Sequence, residues 1–336
     1  MSNMEQKRNA GSRLVNDITV LSLFDGISCA RVALERLGYN PKYYASEVDK
    51  YAIQVGMKNY PYNIQLGDVR GVTGSAFNEP IDLLIGGSPC QDLSIAKANR
   101  KGLDGDRSGL FWEYVRILHE VKPRYFVLEN VNSMPKEAKR IITEAMGVEP
   151  IMINAALVSA QSRKRLFWTN IPGVVLPDDR GLVLEDIIEG GYPVNLRYYP
   201  LKSYCIDANY HKSENLKHHL THHLRQLIFD PVRVGQYNSG GQGDRVYSVQ
   251  GKSVSLSANG GGRGAKTGLY ELKCHGYVPN GEYIIRKLTP VECERLQSLP
   301  DGYTEGISKT QRYKCLGNAF NVEVVKHILS FMEATK

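Results

Sequence analysis

The chain has 336 residues, 42% of them hydrophobic and 23% charged, a balance that fits a folded globular protein with room for one large or two ordinary cores. No apolar run approaches the ~20 residues of a membrane span, and the polar first seventeen residues lack the apolar core of a signal peptide. Six scattered cysteines with no C-x-x-C spacing argue against a zinc knuckle or a dithiol pair and fit a reducing, cytoplasmic setting. In chain order, ITVLSLF (18–24) reads as a buried strand ending at Asp25-Gly26, followed by a helical stretch that stops at Gly38. YYASEVD (43–49) reads as a second strand, with a helix near 51–60, and IDLLIGG (81–87) as a third. A helix over 107–121 comes before the strand YFVLENV (125–131), and a helix over 136–146 is closed by Gly147. IMINAALV (151–158) and RLFWTNI (165–171) read as two more strands. Trp112 and Trp168 fall within these apolar patterns and are expected in the core. The alternation predicts an α/β fold with a doubly wound, mostly parallel sheet.

After Pro172 the pattern changes. Residues 235–268 hold ten glycines among short alternating segments such as RVYSV, which reads as loop-rich and β-containing. Residues 197–275 carry eleven Lys and Arg against five Asp and Glu, +6 of the net +7, a candidate polyanion-binding surface. Regular pattern returns from Ile284 and ends in a helix, VEVVKHIL (322–329). The expected division is a catalytic and cofactor-binding domain over 18–175, an inserted small domain over 190–280, and a segment over 284–336 that completes the first. His218, His219, His222 and His223 have spacing open to a transition metal, but no carboxylate or cysteine pattern accompanies them. They are read as a polar helix face, and no metal is expected.

The chemistry concentrates at strand ends. The turn Phe24-Asp25-Gly26-Ile27-Ser28 brings backbone close to a ligand without forming a G-x-G-x-x-G fingerprint. Glu47 ends the second strand, where an acid can bond ribose hydroxyls, and Asp68 is placed to accept from an adenine amine. In sequence order these acids favour an adenosine-containing cofactor. Cys90 follows a strand on a Gly-Gly-Ser-Pro turn, where a nucleophile belongs, although a buried structural cysteine is the ordinary reading of a lone thiol.

Pro89-Cys90-Gln91, Glu129-Asn130-Val131 and Gln161-x-Arg163-x-Arg165 occur in that order, followed by Arg286-Lys287-Leu288-Thr289-Pro290, Gln311-x-Tyr313 and Gly317-Asn318-Ala319. This ordered set resembles the DNA (cytosine-5) methyltransferases. The 284–330 part has a prokaryotic or phage character, and SPCQDLSIAKANRKGL is similar to the animal de novo branch. The resemblance implies a class I, Rossmann-like methyltransferase that moves a methyl group from S-adenosylmethionine to carbon 5 of a flipped-out cytosine in duplex DNA. Cys90 would be the nucleophile. Glu129, held protonated by burial, would bond ring nitrogen 3, and Arg165 with Arg163 would bind the ring carbonyl and a phosphate. Phe24, Asp25, Gly26, Ile27, Ser28, Glu47, Val48, Asp68, Val69, Pro89, Leu110, Asn318 and Ala319 would form the cofactor pocket, with Ser28 and Ala319 departing from the residues usual in the family. Ser88, Gln91 and Gln161 would lie against the substrate. The insert would be the target-recognition domain, in which Arg245 and Arg263, with Gln236, Asn238, Gln242 and Asn259, are candidates to read base edges. Nothing here calls for an obligate protein partner or a membrane. A tRNA cytosine-5 methyltransferase is the alternative enzyme, but such proteins lack a large insert. A silent DNA-binding regulator would be expected to lose Cys90, Glu129 or Arg165.

Overall fold

The structure, a computed structural model, describes residues 16–89, 110–187, 189, 233–236, 245–248, 269–273, 283–286 and 288–333. The first half alternates β1 (Asn16–Leu23), α1 (Cys29–Arg36), β2 (Tyr39–Ser46), α2 (Lys50–Asn59), β3 (Ile64–Gln65), β4 (Leu83–Gly87), α3 (Phe111–Val121), β5 (Tyr125–Val131), α4 (Lys136–Met146), β6 (Ile151–Asn154) and β7 (Lys164–Thr169). These strands form one seven-stranded sheet in the order β3-β2-β1-β4-β5-β7-β6. Helices cover both faces, so the central strands are apolar on both sides, with Val20, Leu21, Leu23, Leu83, Leu84 and Ile85 fully buried. Pro41 falls on a stretch of β2 that pairs with β1, while β3 pairs with β2 only at Tyr44 and Ala45, so its missing N–H costs no ladder bond on that side.

The structure differs from the sequence expectation in three places, two in the sheet and one on a helix. β7 runs antiparallel to both β5 and β6, because the nine residues between β6 and β7 are too few for a parallel crossover. The strand expected over 151–158 stops at Asn154. That side chain accepts from the N–H of Ala156 (3.1 Å) and of Arg163 (2.9 Å), which starts a 3-10 turn over Ala155–Leu157 and returns the chain. Trp112 is 46% exposed, because α3 buries Phe111, Tyr114 and Ile117 and residue 112 lies about 100° round the helix from residue 111. Trp168 is buried as expected, its indole N–H donating to Thr143.

The late part of the chain returns to the same core. It forms α5 (Pro290–Leu296), started by a capping box between Thr289 and Glu292, then α6 (Lys309–Asn318) and α7 (Val322–Leu329). Leu296, Leu316, Val322, Val325 and Ile328 pack in one cluster with Val20, Ile27, Ala33 and Leu34, covering the face of the sheet that also carries α1. A second cluster on the other face holds α3 and α4 through Phe111, Ile117, Ile142 and Trp168. Four further strands, β8 (Arg233–Gln236), β9 (Arg245–Ser248), β10 (Leu269–Lys273) and β11 (Tyr283–Arg286), form a separate sheet in the order β11-β10-β9-β8. No helix among the described residues is long and apolar enough to cross a membrane. No group of three or more metal-ligating side chains occurs among them, and the four clustered histidines lie outside them.

Candidate active site

The parallel strands β1, β2, β4 and β5 all end at one edge of the sheet, and a cleft of about 290 Å3 opens there. Its floor is the turn after β1, where Phe24, Gly26 and Ser28 all take positive φ (56°, 61° and 61°). Only Gly26 adopts such a backbone without strain, so the other two must be held. Ser28 donates to Asp25 Oδ2 (2.6 Å) and accepts from Asn63 (3.2 Å), and Tyr43 donates to Asp25 Oδ1 (2.6 Å). Gly56 leaves the room for this, since a Cβ there would stand 2.9 Å from Ser28 Oγ. Burial pushes the Asp25 carboxyl up, against the hydroxyls that donate to it. Asp25 and Ser28 therefore serve the turn from behind, and neither lines the cleft.

The end of β2 and the next strand's loop supply the acids. Glu47 accepts from the N–H of Gly26, Val48 and Asp49, each at 2.8 Å, which ties the second strand end to the first turn. Val48 beside it is 68% exposed and forms an apolar wall. Asp68 caps a 3-10 turn over Val69–Gly71 and is gripped by the Arg70 guanidinium and N–H, which hold its carboxyl down at about 2. Arg116 on α3 fastens this turn from outside, donating to the carbonyls of Val72 (2.8 Å) and Val69 (3.3 Å). The donor set suits an adenosine: carboxylates at two successive strand ends for hydroxyls and an amine, with an exposed apolar side chain between them for a flat ring. Across the cleft, Lys314 of α6 pairs with Asp49 at 2.5 Å. Partial burial raises the Asp49 carboxyl, but Lys314 and the N–H groups of Tyr51 and Ala52 outweigh it and leave it below the usual carboxylate range.

The far wall is built by β4, β5 and β7. Ser88 is buried, its Oγ accepting from Asn130 Nδ2 (3.0 Å), so the turn leading to residue 90 is anchored to the neighbouring strand end. Glu129 projects beside Gly87 and pairs with Arg165 at 2.8 Å, both side chains largely buried. Gly87 is required here: a Cβ would fall 2.8 Å from the Phe320 ring and 3.1 Å from Glu129 Oε2. The Arg165 guanidinium stands within ion-pair distance of this carboxyl. Arg163 is 4% exposed and donates to the carbonyls of Gly317 (3.2 Å) and Ala319 (3.0 Å).

The cleft brings together Phe24, Gly26, Ile27, Glu47, Val48, Asp68, Val69, Ser88, Pro89, Leu110, Glu129, Arg163, Arg165 and Asn318. It does not include Ala319, which contributes a buried carbonyl, or Gln161, which is fully buried with neither amide atom hydrogen-bonded. Cys90, Gln91 and Arg263 lie outside the described residues, and Arg245 is described only as backbone of β9. Cys29, Cys293 and Cys315 are buried, and burial pushes all three thiols up, Cys315 to about 12, so none of them is disposed to act as a thiolate. Asp49, Arg70, Gly87, Asn130, Lys314 and Phe320 were not anticipated at the site. Asn130 and Gly87 adjoin motifs already visible in the chain, whereas the Asp49–Lys314 pair spans 265 residues and has no local signal.

A seven-stranded sheet with one antiparallel strand at the β5–β6 side, and a cleft at the strand ends suited to an adenosine, define a class I S-adenosylmethionine-dependent methyltransferase. Within that class the chain belongs to the C-5 cytosine-specific DNA methylase family, which it matches over residues 18–334, and its activity is methylation of cytosine carbon 5 in DNA. It is 30% identical to the type II methyltransferase M.HhaI of Haemophilus parahaemolyticus, over 98% of this chain and 96% of that one. It is 26% identical to the orphan methyltransferase M.SPRI of Bacillus phage SPR, over 93% and 96%. The fold is shared with the methyltransferase EhMeth of Entamoeba histolytica (TM-score 0.65, 16% identity, 94% and 97% covered). It is also shared with a putative DNA modification methyltransferase encoded within an E. coli prophage (TM-score 0.61, 19% identity, 94% and 98% covered).

Proposed function

We propose that this chain methylates cytosine within a specific duplex sequence through a covalent adduct of Cys90, with S-adenosylmethionine held in the cleft at the strand ends. The observation that carries the reading is the Glu129–Arg165 pair, which stands in the same cleft as the turn leading to residue 90 and the carboxylates Glu47 and Asp68. When bound, the cofactor supplies an electrophilic methyl group. Glu47 would accept from the ribose hydroxyls, Asp68 from the adenine amine, and Val48 and Phe24 would flank the ring; Asn318 would face the methionine end. Carbon 5 of cytosine is a poor nucleophile, so the Cys90 thiolate adds to carbon 6 of the flipped-out base and the ring becomes an enamine. Glu129 would bond ring nitrogen 3 and Arg165 the ring carbonyl, offsetting the charge that develops there. Carbon 5 of the enamine would take the methyl group, leaving S-adenosylhomocysteine; a base would then remove the carbon 5 proton and the thiolate would leave carbon 6, which restores the aromatic ring and frees Cys90.

Glu47→Ala is expected to weaken S-adenosylmethionine binding by about 1.5–3 kcal/mol, the worth of a hydrogen bond to a charged group. Calorimetry on the folded variant checks this, and an affinity equal to wild type removes Glu47 from the ribose role.

Residues 190–280 are proposed to be the target-recognition domain, on the grounds of their charge excess, their glycine content and their place between the two parts of the catalytic fold. Exchanging this segment with that of a related enzyme is expected to transfer the methylated sequence, and DNA binding should weaken steeply with salt through counterion release. Sequencing of the methylated sites checks the exchange; an active chimera that kept the original site would remove the assignment.

A further inference from the structure

We propose that Arg163 is a positioning residue for the cofactor, acting through Asn318, and that it makes no contact with DNA phosphate. The inference rests on the reading that the cleft holds S-adenosylmethionine. Arg163 precedes β7, and its N–H is fixed by Asn154. With the two-residue period of extended chain, its side chain falls on the same face as that of Arg165. The two guanidinium groups have different surroundings. That of Arg165 meets Glu129 in the cleft wall, whereas that of Arg163, which also borders the cleft, is buried and donates to the carbonyls of Gly317 and Ala319.

Those carbonyls flank Asn318, which ends α6 and lines the cleft. The last carbonyls of a helix have no partner within the helix, and a cation there also meets the negative end of the helix dipole. Gln297 completes the cap by donating to the carbonyl of Leu316 at 2.7 Å. The backbone on both sides of Asn318 is thus fixed by one buried guanidinium, which also pins α6, an element of the C-terminal part of the chain, to the strand that carries Arg165. A group buried to 4% exposure among carbonyls is poorly placed to meet a phosphate, which approaches from solvent. Exchanging the guanidinium for a side chain without donors frees two carbonyls and the residue between them.

The test measures cofactor and DNA binding separately. Calorimetry with S-adenosylmethionine and no DNA, and DNA affinity across a salt series with no cofactor, would be run on wild type, Arg163→Met, Arg163→Lys and Asn318→Ala. Arg163→Met is expected to weaken cofactor binding about tenfold or more, and Arg163→Lys by less, since an ammonium can serve one carbonyl but not fork between two. The salt slope of DNA binding should stay at its wild-type value, whereas a lost phosphate contact would lower it by about 1. Combining Arg163→Lys with Asn318→Ala should cost less than the two separate losses added, because both act on one contact. Unchanged cofactor affinity in Arg163→Lys and Arg163→Met, a salt slope reduced by about 1, or additive losses would each overturn the proposal. If Arg163→Met does not fold, Arg163→Lys and the double variant decide the question. Wild type failing to bind S-adenosylmethionine would instead remove the reading of the cleft itself.

Discussion

Cys90→Ser is expected to lower methyl transfer by at least about 10^4-fold, equivalent to about 5 kcal/mol of barrier. In the proposed mechanism an anionic nucleophile must add to carbon 6. A thiol near pKa 8.5 supplies a few per cent thiolate at neutral pH, while a serine alkoxide is scarcely populated. The turn that delivers residue 90 is anchored independently of the thiol, through Ser88 and Asn130, so the variant should fold and keep its cofactor affinity. Single-turnover rates with saturating cofactor and duplex check the result. A Cys90→Ser enzyme within about tenfold of wild type would remove the thiol from the mechanism.

The second large effect concerns the Glu129–Arg165 pair. Glu129→Gln and Arg165→Ala are each expected to lower kcat by about 10^2–10^3, the usual cost of deleting one group aimed at developing charge. S-adenosylmethionine affinity should stay within about twofold of wild type, because the role proposed for both residues is toward the base. Gly87→Ala should reproduce much of the defect without touching either charged residue, since its Cβ would press on the Phe320 ring and on Glu129 Oε2. Steady-state kinetics with calorimetric cofactor binding separate the two quantities. Variants that lost cofactor affinity and retained kcat would reverse the assignment.

The central strands were legible because a parallel sheet covered on both faces turns its strands into nearly unbroken apolar runs, such as ITVLSL and LLIGG. The direction of β7 was not legible from periodicity, which is the same for either direction; only the short link from β6 decides it. β3 escaped because two residues carry no period. At the site, acids at strand ends and the Pro-Cys-Gln turn are local signals, and the structure gathers the described ones around one cleft. Arg163 shows what a motif's own spacing leaves open. It stands two residues from Arg165 on one face, yet the return of α6 gives it buried carbonyls to bind. At Asp25 and Ser28, likewise, the motif marks the turn but not which side chains line the cleft. The Asp49–Lys314 pair depends on that same return of the C-terminal segment and is visible only in the folded chain.

The central claim is that Cys90 attacks carbon 6 of a cytosine in duplex DNA, and trapping the adduct tests it most directly. With fluorine at carbon 5 of the target, the proton that must leave after methyl transfer is absent, and the enzyme should stall while still bound to the base. Incubating the protein with S-adenosylmethionine and a 5-fluorocytosine duplex, followed by denaturing electrophoresis and peptide mapping, reads out the crosslinked residue. The account predicts a cofactor-dependent protein–DNA species, confined to duplexes containing the target sequence and mapped to Cys90. No adduct, an adduct formed only with fluorinated tRNA, or a crosslink on Cys29, Cys205, Cys274, Cys293 or Cys315 would contradict it.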